Sequence, residues 1–133
     1  MTTPFIFIGT HTIKPGQREA FQAYFARFCS EVVEPQEPRL HSFYGYTAPD
    51  SDVVTIVQVH PDADSMATHM KVGMEHFAEA YAEYLEPEST LQIYGTLKGD
   101  LIDAMSAAAQ TGVDEDSVTI RVAFAGFDRL PHS

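Results

Sequence analysis

Residues 40–60 read LHSFYGYTAPDSDVVTIVQVH, and residues 61–85 continue as PDADSMATHMKVGMEHFAEAYAEYL. Leu40 to Ala48 and Asp52 to His60 are β-rich runs separated by Pro49-Asp50-Ser51, the composition of a hairpin turn, so two antiparallel strands are predicted. Past His60-Pro61 the period changes: Met66, Met70, Gly73, Phe77, Tyr81 and Tyr84 recur at helical spacing, and Asp62 or Asp64 is placed to cap the start. Gly73 marks a place where that helix can bend.

Upstream of the hairpin, Phe5 to Ile13 is an apolar β-rich run closed by Lys14-Pro15-Gly16. From Gln17 to Val33, Phe21, Phe25, Phe28 and Val32 form the apolar stripe of an amphipathic helix that ends near Pro35. Pro35 and Pro38 bracket a short rigid connection, because proline cannot continue a helix and pushes its predecessor toward extended backbone. Downstream, Thr90 to Leu97 supplies a fourth strand. The order strand, helix, strand, strand, helix, strand is the split βαβ signature, so the fold class is α+β with a ferredoxin-like antiparallel sheet. The 133 residues suit a single domain, with a core over 4–97 and an extension over 100–133. That extension reads as a helix from Asp100 to Gln110 and a strand from Ser117 to Phe127. Helices on one side of a four-stranded sheet leave the other side bare, and Val53 to Val59 is apolar on both faces, which predicts a second copy of the chain as cover. The last strand can lie on the edge of its own sheet or reach across to that partner; periodicity does not choose.

Charge narrows the partners. Nineteen acidic against eight basic side chains give a net charge of −11, which repels phosphate backbones and anionic headgroups, so neither nucleic acid nor membrane is an expected partner. Met1 to Thr10 lacks the basic start of a signal peptide, and no apolar run approaches the ~20 residues that span a bilayer, so a cytoplasmic location is expected. A lone cysteine, Cys29, forms no internal disulfide and reads as a buried structural thiol.

Phosphate-cradling loops, dinucleotide fingerprints, nucleophile elbows and CxxC pairs are all missing from the sequence. His60, Asp62, Asp64 and His69 have the side chains of metal ligands, but most of them fall where a strand hands over to a helix, and capping accounts for them better; no metal site is expected. The more informative set is His11, His41, Tyr44, Tyr46, His69, His76 and Tyr94, which come from every element around one prospective cavity. His69 and His76 are two helical turns apart, ~10 Å along one face, too far for two ligands of one ion but suited to proton transfer and hydrogen bonding. Each of these side chains also has a structural explanation, as a satisfied histidine or a packed tyrosine with its hydroxyl at the rim.

Lys14-Pro15-Gly16, Glu37-Pro38, Met66-Ala67-Thr68-His69 and His76-Phe77 together resemble the antibiotic biosynthesis monooxygenase (ABM) family of dimeric α/β-barrel proteins, over residues 4–97. The resemblance implies a ferredoxin-like homodimer with a pocket between sheet and helices. It also implies an activity, since some members oxidise aromatic polyketides with O₂ and without metal or flavin, while others degrade haem or handle quinols. Arg39 stands where the family has glycine, and Gln58-Val59-His60 replaces its Glu-x-Trp. The chain has no tryptophan and no asparagine, which the haem-degrading branch uses to hold its haem, so that activity is not expected.

His69 is the one residue carried over, as the catalytic base; His11, Tyr44, His76 and Tyr94 are expected to bind the substrate. The resulting expectation is a cofactor-independent monooxygenase acting on a small phenolic or polyketide-like molecule, with no cofactor. The alternative is a non-catalytic small-molecule-binding or structural homodimer of the same fold. Convergence of the histidines and tyrosines on one solvent-reachable pocket separates the two.

Overall fold

A computed structural model describes residues 3–96 and 118–129. Five strands form one sheet: β1 (Phe5–Ile13), β2 (Ser42–Thr47), β3 (Val53–His60), β4 (Leu85–Tyr94) and β5 (Val118–Arg121), in the spatial order β2-β3-β1-β4-β5. The first four pair antiparallel and β5 runs parallel to β4, so the fold is α+β and ferredoxin-like with an open sheet. The C-terminal strand thus extends the edge of its own sheet. It is shorter than the expected Ser117 to Phe127, because the chain beyond Arg121 leaves the ladder with Phe124 and Phe127 exposed. The helix expected over Asp100 to Gln110 falls outside the described residues.

One side of the sheet carries the helices α1 (Arg18–Arg27) and α3 (Ala63–Glu83), with the single turn α2 (Glu34–Gln36) between them in the chain. Asp62 caps α3 by accepting from the Ser65 N–H at 3.0 Å, as its position in the sequence predicts. Gly73 does not break α3, which is continuous; instead its bare Cα makes room for the Phe77 ring, since a Cβ there would lie 2.6 Å from Phe77 Cζ.

The first helix departs more from expectation. After Arg27 it widens into a π-helical segment, Phe28–Val33, and closes with α2, so it runs one residue past Pro35. A π turn takes an extra residue and rotates the rest of the helix about its axis. The buried stripe accordingly becomes Phe21, Tyr24, Phe28 and Val33, with Val33 inside in place of Val32. The same rotation brings Glu37 inward, its N–H bonded to Val33 O at 2.9 Å, immediately before Pro38 stops the helix.

Strand register decides which side chains meet the helices. Phe7 pairs with Gln58 and Ile93, Gly9 with Ile56 and Leu91, and Phe43 with Gln58, so these form the helix-facing layer. Two cores result, one around Phe5, Phe7, Met66, Met70, Leu91 and Ile93, the other around Ile13, Phe21, Tyr24, Val54, Ala80 and Leu85. The opposite layer, with Ile6, Ile8, Tyr44, Tyr46, Val57 and Val59, meets no helix among the described residues. No helix among those residues is long and apolar enough to cross a membrane.

Candidate active site

Between the two cores the helices stand off the sheet and leave a cavity of about 100 Å³, walled by aromatic and aliphatic side chains including Phe7, Phe28, Phe43, Met70, Phe77 and Leu91. Its polar members are few: His11, Gln58, His69, His76 and the hydroxyl-bearing Tyr24 and Tyr81. Histidines from β1 and α3 therefore do converge there, as the spacing predicts. Tyr44 and Tyr94 do not. Tyr44 pairs with Val57 and is 60% exposed on the far face of the sheet, and Tyr94, beside the buried Ile93, has the same outward parity, so neither lines this cavity.

His69 sits on the buried side of α3, sealed from solvent, with the rings of Phe43 and Phe77 at 5.1 and 5.4 Å. Its Nδ1 meets the Glu37 carboxylate, at 3.0 Å to Oε1 and 2.9 Å to Oε2, and both side chains are almost wholly buried. An ionised carboxylate accepts only, so this contact places a proton on Nδ1; in the neutral ring the lone pair is then on Nε2. Nε2 has no hydrogen-bond partner among the described residues. An unpartnered polar atom buried among phenyl rings costs about 1–3 kcal/mol, and such an atom calls for an explanation in function. A carboxylate, an imidazole that it orients and an unpartnered ring nitrogen, on a residue that lines the cavity, are the parts of a general base.

On its other side Glu37 lines a second, more polar cleft of about 480 Å³ with Cys29, Glu34, His41 and Tyr44. Phe43 lines both spaces, so the dyad bridges an apolar interior and an open cleft.

His11 enters the cavity from β1 and shares a hydrogen bond between its Nδ1 and the Tyr81 hydroxyl, 3.1 Å apart. Burial lowers its pKa to about 4, so it is neutral at pH 7, and burial likewise raises that of the Tyr81 phenol. His76 lies a further two turns along α3, with its ring 5.0 Å from that of Phe28, and its backbone carbonyl accepts from Tyr24. His60, also wholly buried, bonds Ser65 and Gln58; desolvation, aided by the neighbouring His69, brings its pKa down to about 3. Asp62 is engaged as the helix cap and in an ion pair with Arg39. Among the described residues no three His, Cys, Asp or Glu side chains gather in a way that could hold a metal.

Glu37, Gln58 and Tyr24 are the site members that periodicity did not single out, and Tyr81 reads only as part of the helical stripe. Gln58 had a signal: it is a polar residue in the inward row Val54, Ile56, Gln58, His60 of an otherwise apolar strand.

An open ferredoxin-like sheet whose helix-covered side encloses an apolar pocket with a carboxylate-oriented histidine defines the class by fold: an α+β protein with a ferredoxin-like sheet. Comparison of structures places the fold more closely. MupZ from Pseudomonas fluorescens superposes with a TM-score of 0.69 at 17% identity, covering 97% of this chain and 91% of that one. PA3566 from Pseudomonas aeruginosa gives 0.60 at 18%, over 74% and 98% of the two chains. A protein from Chloroflexus aurantiacus J-10-fl, named as a candidate antibiotic biosynthesis monooxygenase, gives 0.53 at 20%, over 73% and 98%. The chain thus has the fold of ABM-named proteins, and the MupZ match covers a larger share of it than the other two do. No family model matches the sequence, and no curated protein does either.

Proposed function

We propose that the protein is an enzyme in which His69, oriented by Glu37, removes a proton from a small phenolic or enolisable molecule held in the aromatic cavity. The observation that carries this reading is that His69 lines that cavity with Nδ1 fixed by a buried carboxylate and Nε2 buried without a partner among the described residues, so a ligand reaches Nε2 as the aromatic walls yield. A volume of about 100 Å³ is below the ~150 Å³ that accommodates benzene in an engineered cavity, so the site takes one ring, or a short segment of a polyketide-like chain, with slight yielding of its walls.

The reaction we favour is monooxygenation, the activity carried by the name of the Chloroflexus aurantiacus protein, here proposed to run without a cofactor. His69 takes a proton, the resulting carbanion-like anion gives electrons to O₂, and a carbon-bound hydroperoxide loses water. The balance is CH₂ plus O₂ to C=O plus H₂O, with the substrate as the only reductant. His11 and His76 hold and orient the ring; isomerisation or cyclisation by the same base would omit O₂. Oxygen uptake and product formation are to be measured over a panel of single-ring phenols and enolisable ketones, with His69→Ala alongside. Uptake that disappears in the variant supports the reading, turnover without uptake selects the isomerase form, and turnover unchanged in His69→Ala removes the base assignment.

The nearly unbroken apolar wall favours a second reading, a binding protein without turnover, in which ligands bind equally well to His69→Ala and are recovered unaltered. Under either reading we infer a homodimer in which the uncovered layer of Ile6, Ile8, Tyr44, Tyr46, Val57 and Val59 meets its counterpart. Val57→Lys is then expected to shift the sedimentation mass from two chains to one, and a monomeric unaltered protein would overturn the inference.

A further inference from the structure

Gln58 lies on β3 in the inward row, opposite Phe7 on β1 and Phe43 on β2, and among the described residues it is the only carboxamide on the cavity wall. Phe43 is also the ring packed on His69, so Gln58 shares the dyad's end of the cavity. Its orientation follows from a count of protons. His60 Nδ1 is 2.7 Å from Ser65 Oγ, and His60 Nε2 is 2.9 Å from Gln58 Oε1. Among the described residues the Ser65 hydroxyl has no acceptor other than His60, so Ser65 donates to Nδ1. The one proton of the neutral imidazole is then on Nε2 and is donated to the Gln58 carbonyl. With that oxygen occupied, the Gln58 amide nitrogen is left with two donors and no acceptor among the described residues, yet it is not one of the side-chain atoms sealed from solvent without a partner. Gln58 itself lines the cavity.

We propose that the Gln58 amide is the oxyanion donor of this cavity, hydrogen-bonding the oxygen of a neutral phenol or enolisable carbonyl compound as that oxygen becomes anionic. The inference rests on the reading of His69 as base. In the step it serves, the O–H bond, or a C–H bond next to the carbonyl, breaks; its electron pair ends on the substrate oxygen and the proton on His69 Nε2, with no oxidant involved. A fixed donor aimed at developing charge in a low-dielectric cavity is among the largest contributions an active site makes. His60 and Ser65 are positioning residues, since they hold the amide the right way round without reaching the ligand. The net charge of −11 repels ligands that arrive ionised, which fits a site that accepts the neutral form and ionises it in place.

The test uses the full chain and 4-nitrophenol, whose phenolate absorbs in the visible, titrated against pH beside fluorobenzene, a neutral ring of similar size with no ionisable oxygen. Gln58→Met removes the donor and keeps the length. The expected result is a bound phenolate-to-phenol ratio reduced roughly tenfold or more, the loss of one hydrogen bond to a charged group, with fluorobenzene losing much less affinity than the phenolate does. Ser65→Ala, which frees the amide to turn over, is expected to give a smaller loss of the same kind. An unchanged phenolate ratio in Gln58→Met, with loss in His69→Ala, would overturn the Gln58 assignment and leave the base standing. No effect in either variant, or no bound phenolate in the unaltered protein, would overturn both. Should Gln58→Met fail to fold, a crystal structure of the unaltered protein with 4-nitrophenol decides the point: the phenol oxygen within hydrogen-bond distance of Gln58 Nε2 supports the assignment, and an oxygen placed elsewhere overturns it.

Discussion

His11→Gln is expected to flatten the acid limb of the stability profile. His11 is buried against Tyr81 and titrates at about 4 when folded, against 6.5 in a free chain. Below pH 6.5 the unfolded chain takes up a proton that the folded protein refuses, so this contribution is intact above 6.5 and is lost as pH falls toward 4. At 1.36 kcal/mol per pH unit, the loss between pH 7 and 5 is about 2 kcal/mol for His11. His60, held at about 3, loses a similar amount over the same interval, so the two histidines remove about 4 kcal/mol. That is a large part of the 5–15 kcal/mol typical of a domain. The glutamine keeps an acceptor for the Tyr81 hydroxyl and cannot titrate. Urea unfolding at pH 7, 6 and 5 on both proteins measures the difference, and comparing them cancels the share of the carboxylates. His11→Gln should lose about 2 kcal/mol less than the unaltered chain between pH 7 and 5. Equal slopes would refute the picture of His11 as a buried neutral base.

Packing and burial set two further outcomes. Gly73→Ala places a methyl where the Phe77 ring now lies, and the ring can move only by tilting against His69 and the cavity; ligand affinity should fall about tenfold or more while the melting temperature, helped by alanine's helix propensity, changes little. Desolvation pushes the thiol of the half-buried Cys29 up to about 11, so its alkylation at pH 7 should be roughly a hundredfold slower than that of a free cysteine, and a rate equal to the free thiol's would show that desolvation does not hold it protonated.

The fold was legible because its signals are local. The turn Pro49-Asp50-Ser51 is realised with Asp50 at a positive φ that aspartate tolerates, and the change from alternation to helical spacing after Pro61 is realised by the Asp62 cap. The histidine end of the site was legible for the same reason, since His69 and His76 sit on one helix at a spacing that fixes their common face. The remainder depends on features that periodicity does not contain. Which of Phe43 and Tyr44 faces the helices is set by the β2–β3 register, and a slip of one residue exchanges them. Glu37 turns inward because of a π-helical segment that no local pattern announces, and it joins His69 across 32 positions of sequence. That partner is what the proposed role of His69 as base rests on.

The most direct test of that pairing is the nitrogen NMR spectrum of the His69 ring, recorded at pH 7 on the unaltered protein and on Glu37→Gln, with and without a bound phenol. A proton held on Nδ1 by Glu37 and a bare Nε2 are expected, with the Nε2 resonance moving toward the protonated position when the phenol binds. A ring carrying its proton on Nε2, or a bare Nε2 whose resonance ignores the phenol, would contradict the claim that Glu37 presents His69 to the cavity as a base.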